Sequence, residues 1–213
     1  MSEEGVKLLK LTRSPRSDDR FYAEFDNGEA FTVTVAIIAD FGLYSGLTLD
    51  ADEFKAVAEA AERSGAKSRA LRMLGARPMS EGEIIEKLAD KGVDRNIAAD
   101  TANWLSEIGA VNDEEDARMI VSHYSKKGYG EAKIKSELYR RKVPKELWED
   151  ALENMPDTDD IIDRLVETKL RGTEPDRKEL KKVSDMLLRR GYSYEEVRGA
   201  LRRYSENAEE RYD

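Results

Sequence analysis

The sequence predicts a mainly α protein: a tandem array of three three-helix repeats, elongated and curved, behind a small N-terminal β-rich module. Three observations carry that prediction. Apolar residues in the first 50 positions fall into short runs rich in aromatic and β-branched side chains, and after about residue 66 they recur with a helical period. One apolar skeleton returns three times, at shifts of 50 and 49 residues. A chain of 213 residues that is 39% hydrophobic and 38% charged also suits several small modules better than one thick core.

Residues 1–50 form the β-rich module. The runs VKLLKLT, FYAEF and FTVTV read as strands, the last two joined by Asp26-Asn27-Gly28. A two-residue Asn-Gly loop would put Phe21 and Ala23 on the face opposite Phe31 and Val33. A three-residue loop with Gly28 left-handed pairs Ala23 with Phe31 and Phe21 with Val33 on one apolar face, and this register is preferred. AIIADFG then makes a helical turn or two ended by Gly42. Asp50 and Glu53 have the spacing of a capping box for a linking helix over 51–65.

Three repeats follow, over 66–112, 113–156 and 157–206, with a polar tail at 207–213. Ile84, Ile134 and Val183 correspond, as do Leu88, Leu138 and Leu187, and each pair one turn apart makes a buried stripe. A basic or Lys-Gly turn comes next, then one apolar residue plugging the corner: Val93, Val143 or Tyr192. Asp94, Pro144 or Ser193 starts the following helix, Pro144 in a first-turn position where it costs no hydrogen bond. A further helix precedes each pair, in SRALRMLG, EDARMIVSHYSKKG and DDIIDRLVETKLRG. Units that touch only their neighbours build a curved rod, suited to lying along another long object. Trp104 and Trp148 read as core residues.

Charge is sorted along the chain. The total is −9, which argues against a nucleic-acid binder working by bulk charge. Yet nine Lys/Arg face two acids between Ala117 and Lys145, eleven acids face three bases from Glu81 to Asp116, and eight acids from Glu146 to Asp163 face none. Such blocks read as a surface built for a polar partner, although helical surfaces also carry charge without one. The absence of cysteine excludes a disulfide framework and a thiolate zinc site. A single histidine, His123, and the lack of a Walker-type glycine loop leave no basis for a metal centre, a triad or nucleotide hydrolysis. No enzyme activity and no cofactor are expected. No apolar run approaches the roughly 20 residues of a membrane span, and the acidic opening MSEEGVKLLK lacks signal-peptide features, so a cytoplasmic location is expected.

The skeleton with its particular residues resembles the RecX family of recombination regulators. The likeness rests on KKGYG followed by Ile134, Leu138 and Arg141, on LADKGV, on WLSEIGAVNDEEDAR and on LLRRGYSYEEVRGAL, and spans about Ala66 to Tyr204. Asp116 stands where the family usually has an aromatic residue, and KLRGTEPDRKEL is an added polar stretch in the third unit. The resemblance implies a cytoplasmic bacterial regulator, not an enzyme. It would act as a monomer that binds RecA, lodges in the helical groove of the RecA–DNA filament and opposes its extension, ATP hydrolysis and strand exchange. Weak affinity for single- or double-stranded DNA fits beside that role. The alternative is a helix-turn-helix-like DNA-binding module.

Candidate contacts to the filament or to DNA phosphates are Arg69, Arg72, Arg77, Lys126, Lys127, Tyr129, Lys133, Arg140, Arg141, Lys142, Arg189 and Arg190. Arg140, Arg141 and Lys142 end a helix, where cations also favour the helix dipole. Lys133, seven residues before Arg140, shares its face. Tyr129, between two glycines, is open to either a partner contact or burial against the repeat core.

Overall fold

The computed structural model describes residues 5–15, 17–153, 155, 157–171 and 176–210, with side chains to residue 206. Residues 211–213 of the polar tail and 172–175 of the third unit's polar stretch lie outside the described residues. The chain divides into two compact units, Met1–Pro78 with Ile84–Ile108, and Met79–Glu83 with Gly109–Asp213.

In the first unit, strands β1 (Val6–Arg13), β2 (Arg20–Phe25), β3 (Ala30–Thr34) and β4 (Thr48–Leu49) form an antiparallel sheet in the order β3-β2-β1-β4. The hairpin takes the preferred register, Ala23 opposite Phe31 and Phe21 opposite Val33, with Gly28 at φ +86°. Leu8, Ala23, Phe25 and Val33 turn inward onto Ile37, Leu43, Leu49, Val57 and Ala61. Phe25, Phe31 and Phe54 meet with ring centroids 5.0–5.5 Å apart, closing the sheet against the helices. Helix α1 (Val35–Asp40) starts at Thr34, whose side chain accepts from the Ile37 N–H, and is followed by Gly42 at φ +58°.

Helix α2 (Ala51–Leu74) opens with the Asp50–Glu53 capping box. The sequence pattern separates a linking helix from the first repeat helix near Gly65; the structure runs one helix of 24 residues through it. Ala61, Ala66 and Ala70 are buried along α2, so packing of a small-residue stripe outweighs the roughly 1 kcal/mol a mid-helix glycine costs. Helices α3 (Glu81–Ala89) and α4 (Arg95–Glu107) complete the first triplet, with Arg63 paired to Asp100 across α2 and α4. Trp104 is half-buried beneath the Lys67 ammonium, 4.4 Å from its ring centroid.

The second unit holds the other two triplets. Helix α5 (Asp113–Lys126) is capped by Asn112 and carries four acids in its first turn, where the dipole favours them. Helix α6 (Glu131–Arg140), a 3-10 turn (Lys145–Leu147) and α7 (Trp148–Glu153) follow. Pro144 stands just before that turn as its cap (ψ 135°), one position earlier than the first-turn placement read from the sequence. Trp148 donates from Nε1 to the Val143 carbonyl at 3.1 Å, a half-buried packing role as expected. Helices α8 (Asp159–Leu170), α9 (Arg177–Arg189) and α10 (Tyr194–Glu210) make the last triplet, its third helix started by a Ser193–Glu196 capping box. Ile134, Leu138 and Val143 sit in one core and Val183, Leu187 and Tyr192 in the next, as the repeated skeleton requires.

Candidate functional site

The corner after each middle helix is the same device three times. The plug residue's N–H bonds back to the second stripe residue's carbonyl: Val93 to Leu88, Val143 to Leu138, Tyr192 to Leu187, at 3.1–3.3 Å. The residue before the plug is left-handed in each case, Gly92 at φ +83°, Lys142 at +58° and Gly191 at +91°. Only the middle corner puts a side chain there, and lysine in that conformation costs about 1–2 kcal/mol. What is retained is an exposed cation at the apex of the turn, its ammonium 5.9 Å from the Tyr139 ring centroid.

Two of these corners are docked upon in the second unit. Ser80 donates from its hydroxyl to the Arg141 carbonyl, and the Glu81 N–H donates to Asp113 at 2.9 Å. A Cβ on Gly82 would fall 2.7 Å from the Lys142 carbonyl oxygen. At the other corner, the N–H groups of Gly130 and Ala132 donate to the carbonyls of Arg190 and Gly191, at 3.0 and 3.2 Å. There a Cβ on Gly191 would strike Lys133, and one on Gly130 would strike Gly191. At both corners backbone comes close to backbone, with Gly82 permitting the approach to Lys142 and Gly130 and Gly191 permitting the approach of the other pair. Burial pushes the Asp113 carboxyl above its ordinary range; the Glu81 N–H works against this, while the Glu81 and Asp116 charges add to it.

The cations divide accordingly. Arg190 is half-buried, donates to the carbonyls of Lys127 and Gly128, and lies over the Tyr129 ring, 5.5 Å from its centroid. Tyr129 is half-buried, packs on the second triplet's core and faces the Tyr124 ring at 5.6 Å. Lys133 and Arg140 share a face as expected, but between them stands Glu137, 8% exposed, which binds Arg140 at 2.6 and 3.0 Å and Lys133 at 3.7 Å. Burial alone would raise the Glu137 carboxyl; hydrogen bonds from Arg140 and Tyr124 and the nearby lysine outweigh it and hold the group below its ordinary range. Arg141 is half-buried at the docked corner, with Nε buried and unpartnered. Lys126, Lys127, Lys142 and Arg189 are exposed. In the first unit, Arg77 donates to the Pro78 carbonyl at 2.8 Å, and Arg69 and Arg72 line a groove beside β3.

Sequence reasoning missed Ser80, Gly82, Asp113 and Glu137, and also Arg20, which reaches the groove of Arg69 and Arg72 from β2. A small residue at the start of two middle helices, Ser80 and Gly130, was the available signal. Among the described residues no group of three or more His, Asp or Glu side chains is placed to hold a metal ion, and no helix is long and apolar enough to cross a membrane.

Comparison with known proteins covers the same ground. Family models described as the first, second and third three-helix domains of RecX match residues 66–105, 112–152 and 157–201. A curated relative named regulatory protein RecX, from Caldanaerobacter subterraneus subsp. tengcongensis, is 27% identical over 200 residues, covering 92% of this chain and 97% of its own. Another of that name from Clostridium perfringens strain 13 is 28% identical over 208 residues, covering 94% and 97%. A crystal structure of regulatory protein RecX superposes with a TM-score of 0.67 at 22% identity over 91% of this chain and 97% of that one. RecX from Lactobacillus salivarius gives 0.61 at 21% identity, covering 68% and 97%, and both structures share the fold.

Proposed function

The chain belongs to the RecX family, and from that premise we propose that it regulates homologous recombination and DNA repair by binding RecA and the RecA–DNA filament. It lodges as a monomer in the helical groove of the filament, in the cytoplasm, and opposes extension, ATP hydrolysis and strand exchange, without catalysis of its own. One observation carries this reading: all three family domains occur in order along residues 66–201, and relatives called regulatory proteins align over almost the whole chain. Exposed Lys126, Lys127, Lys142 and Arg189 are the first contacts, with Arg140 beside them and Arg69, Arg72 and Arg77 adding cations from the first unit. Tyr129, Lys133, Arg141 and Arg190 act mainly by holding the corners in shape.

The test is the ATPase rate of RecA on single-stranded DNA as this chain is added. Inhibition well below one chain per RecA protomer supports groove lodging or end capping. No inhibition, together with sequence-selective duplex binding, would transfer the function to the helix-turn-helix reading.

A further inference from the structure

Beside α2 in the first unit runs an open groove of about 730 Å³, walled by β3, by α2 and by the corner Lys91–Val93. Five cations line it, Arg20, Lys55, Arg69, Arg72 and Lys91, against Glu29, Glu59 and Glu62. The three carboxylates are already engaged. Asn27 donates to Glu29 at 3.2 Å, Lys55 pairs with Glu59 at 4.0 Å, and Glu62 accepts the Asp94 N–H at 3.1 Å.

Three of the five cations are arginines, and two of them are bound to one neutral residue. The Arg20 guanidinium donates to the Ser68 hydroxyl, Arg72 Nε donates to the Ser68 carbonyl at 3.4 Å, and Arg69 is the next residue along. Among the described residues none of the three forms an ion pair, in a chain that has 45 carboxylates to offer. Gathering like charges costs free energy, and a planar guanidinium fork recovers most from a phosphate. Arg69 and Arg72, three residues apart, share a helical face, so successive phosphates of one strand can reach both. A duplex carries its phosphates on a convex surface, which β3 on one side and the corner on the other hold away from α2.

We infer that this groove binds the phosphodiester backbone of a single-stranded nucleic acid, with Arg20, Arg69 and Arg72 holding phosphates and Lys91 at the rim. The site gives the N-terminal module a task, since β2 delivers Arg20 and the family models begin only at residue 66. It deepens the weak DNA affinity expected beside regulation of RecA by giving it a site, and it is tested without RecA, so either reading can fail alone.

The experiment is fluorescence anisotropy of a labelled oligothymidylate with the full chain across a salt titration. The wild type binds at low salt, and the double variant Arg69→Ala/Arg72→Ala binds roughly tenfold more weakly, its salt slope flatter by about 1.4, or ~0.7 per lost phosphate contact. Arg198→Ala, at an exposed position of α10, binds like the wild type. Lys91→Ala, on a separate turn, gives a smaller loss and shows that the effect does not depend on α2 folding. The inference is overturned if the wild type fails to bind, or if the double variant keeps its affinity and slope with helix content intact. A duplex of equal length binding as tightly, or polyglutamate displacing the strand as well as unlabelled oligothymidylate, overturns it too.

Discussion

Gly92 and Gly191 provide a matched pair for testing how the corners are held. Both are left-handed, at φ +83° and +91°, and both precede the corner plug. An alanine Cβ at Gly92 meets nothing within 4 Å, so Gly92→Ala pays only for the backbone conformation, about 1–2 kcal/mol. At Gly191 the same Cβ would lie 2.6 Å from the Lys133 Cβ and 3.0 Å from its Cα, with the Lys133 backbone nitrogen nearer still. Those are not flexible tips. The first turn of α6 must shift, at a further cost of about 1–3 kcal/mol as in other overpacked contacts, and the bonds from Gly130 and Ala132 to this corner lengthen with it. Urea unfolding followed by circular dichroism gives both numbers. Gly191→Ala should lose about 2–5 kcal/mol and exceed Gly92→Ala by at least about 1 kcal/mol. Equal losses would refute the claim that the glycine exists for the sake of the docked backbone.

Other expectations follow from the same contacts. Tyr192 is 3% exposed and its hydroxyl has no hydrogen-bond partner, so Tyr192→Phe should stabilise the second unit by about 1 kcal/mol and raise its Tm, measured by calorimetry. Glu137→Gln should cost about 1 kcal/mol, discounted because Arg140 is largely exposed, and should remove part of the acid limb of stability. The sign follows from the lowered carboxyl: its stabilisation is complete above the ordinary value of 4.5 and is lost as pH falls through the lower folded value. Asp113 runs the other way, since its raised folded value means ionisation weakens the fold at neutral pH; Asp113→Asn, which keeps the acceptor for the Glu81 N–H, should stabilise there and lose its advantage in acid. Charge reversal at Lys126, Lys142 and Arg189 should weaken inhibition of the RecA ATPase at least severalfold while leaving helix content unchanged.

Local chemistry made much of the fold legible in the sequence. Asp26-Asn27-Gly28 specified the hairpin register because a one-residue slip would have put Phe21 and Ala23 on the wrong face, and Asp50 with Glu53 announced the start of α2. The repeated stripe and plug residues were readable because burial imposes the same apolar types each time. What stayed hidden depends on partners far away in sequence. Gly65 looks like a helix end until Ala61, Ala66 and Ala70 are seen to be buried along a continuous helix. Lys142 reads as one more helix-end cation, yet its backbone does what glycine does in the other two corners. Glu137 reads as a solvated acid because nothing local says that Arg140, Lys133 and Tyr124 converge on it. Arg20 sits on a strand, 48 residues before the serine that places it among Arg69 and Arg72.

The most direct measurement is electron cryomicroscopy of RecA filaments on single-stranded DNA, formed with this chain present. Density for the chain should follow the helical groove, with the corner at Lys142 and the end of α9 at Arg189 against the filament. Bare filaments, with the chain recovered only in the unbound fraction, would contradict it.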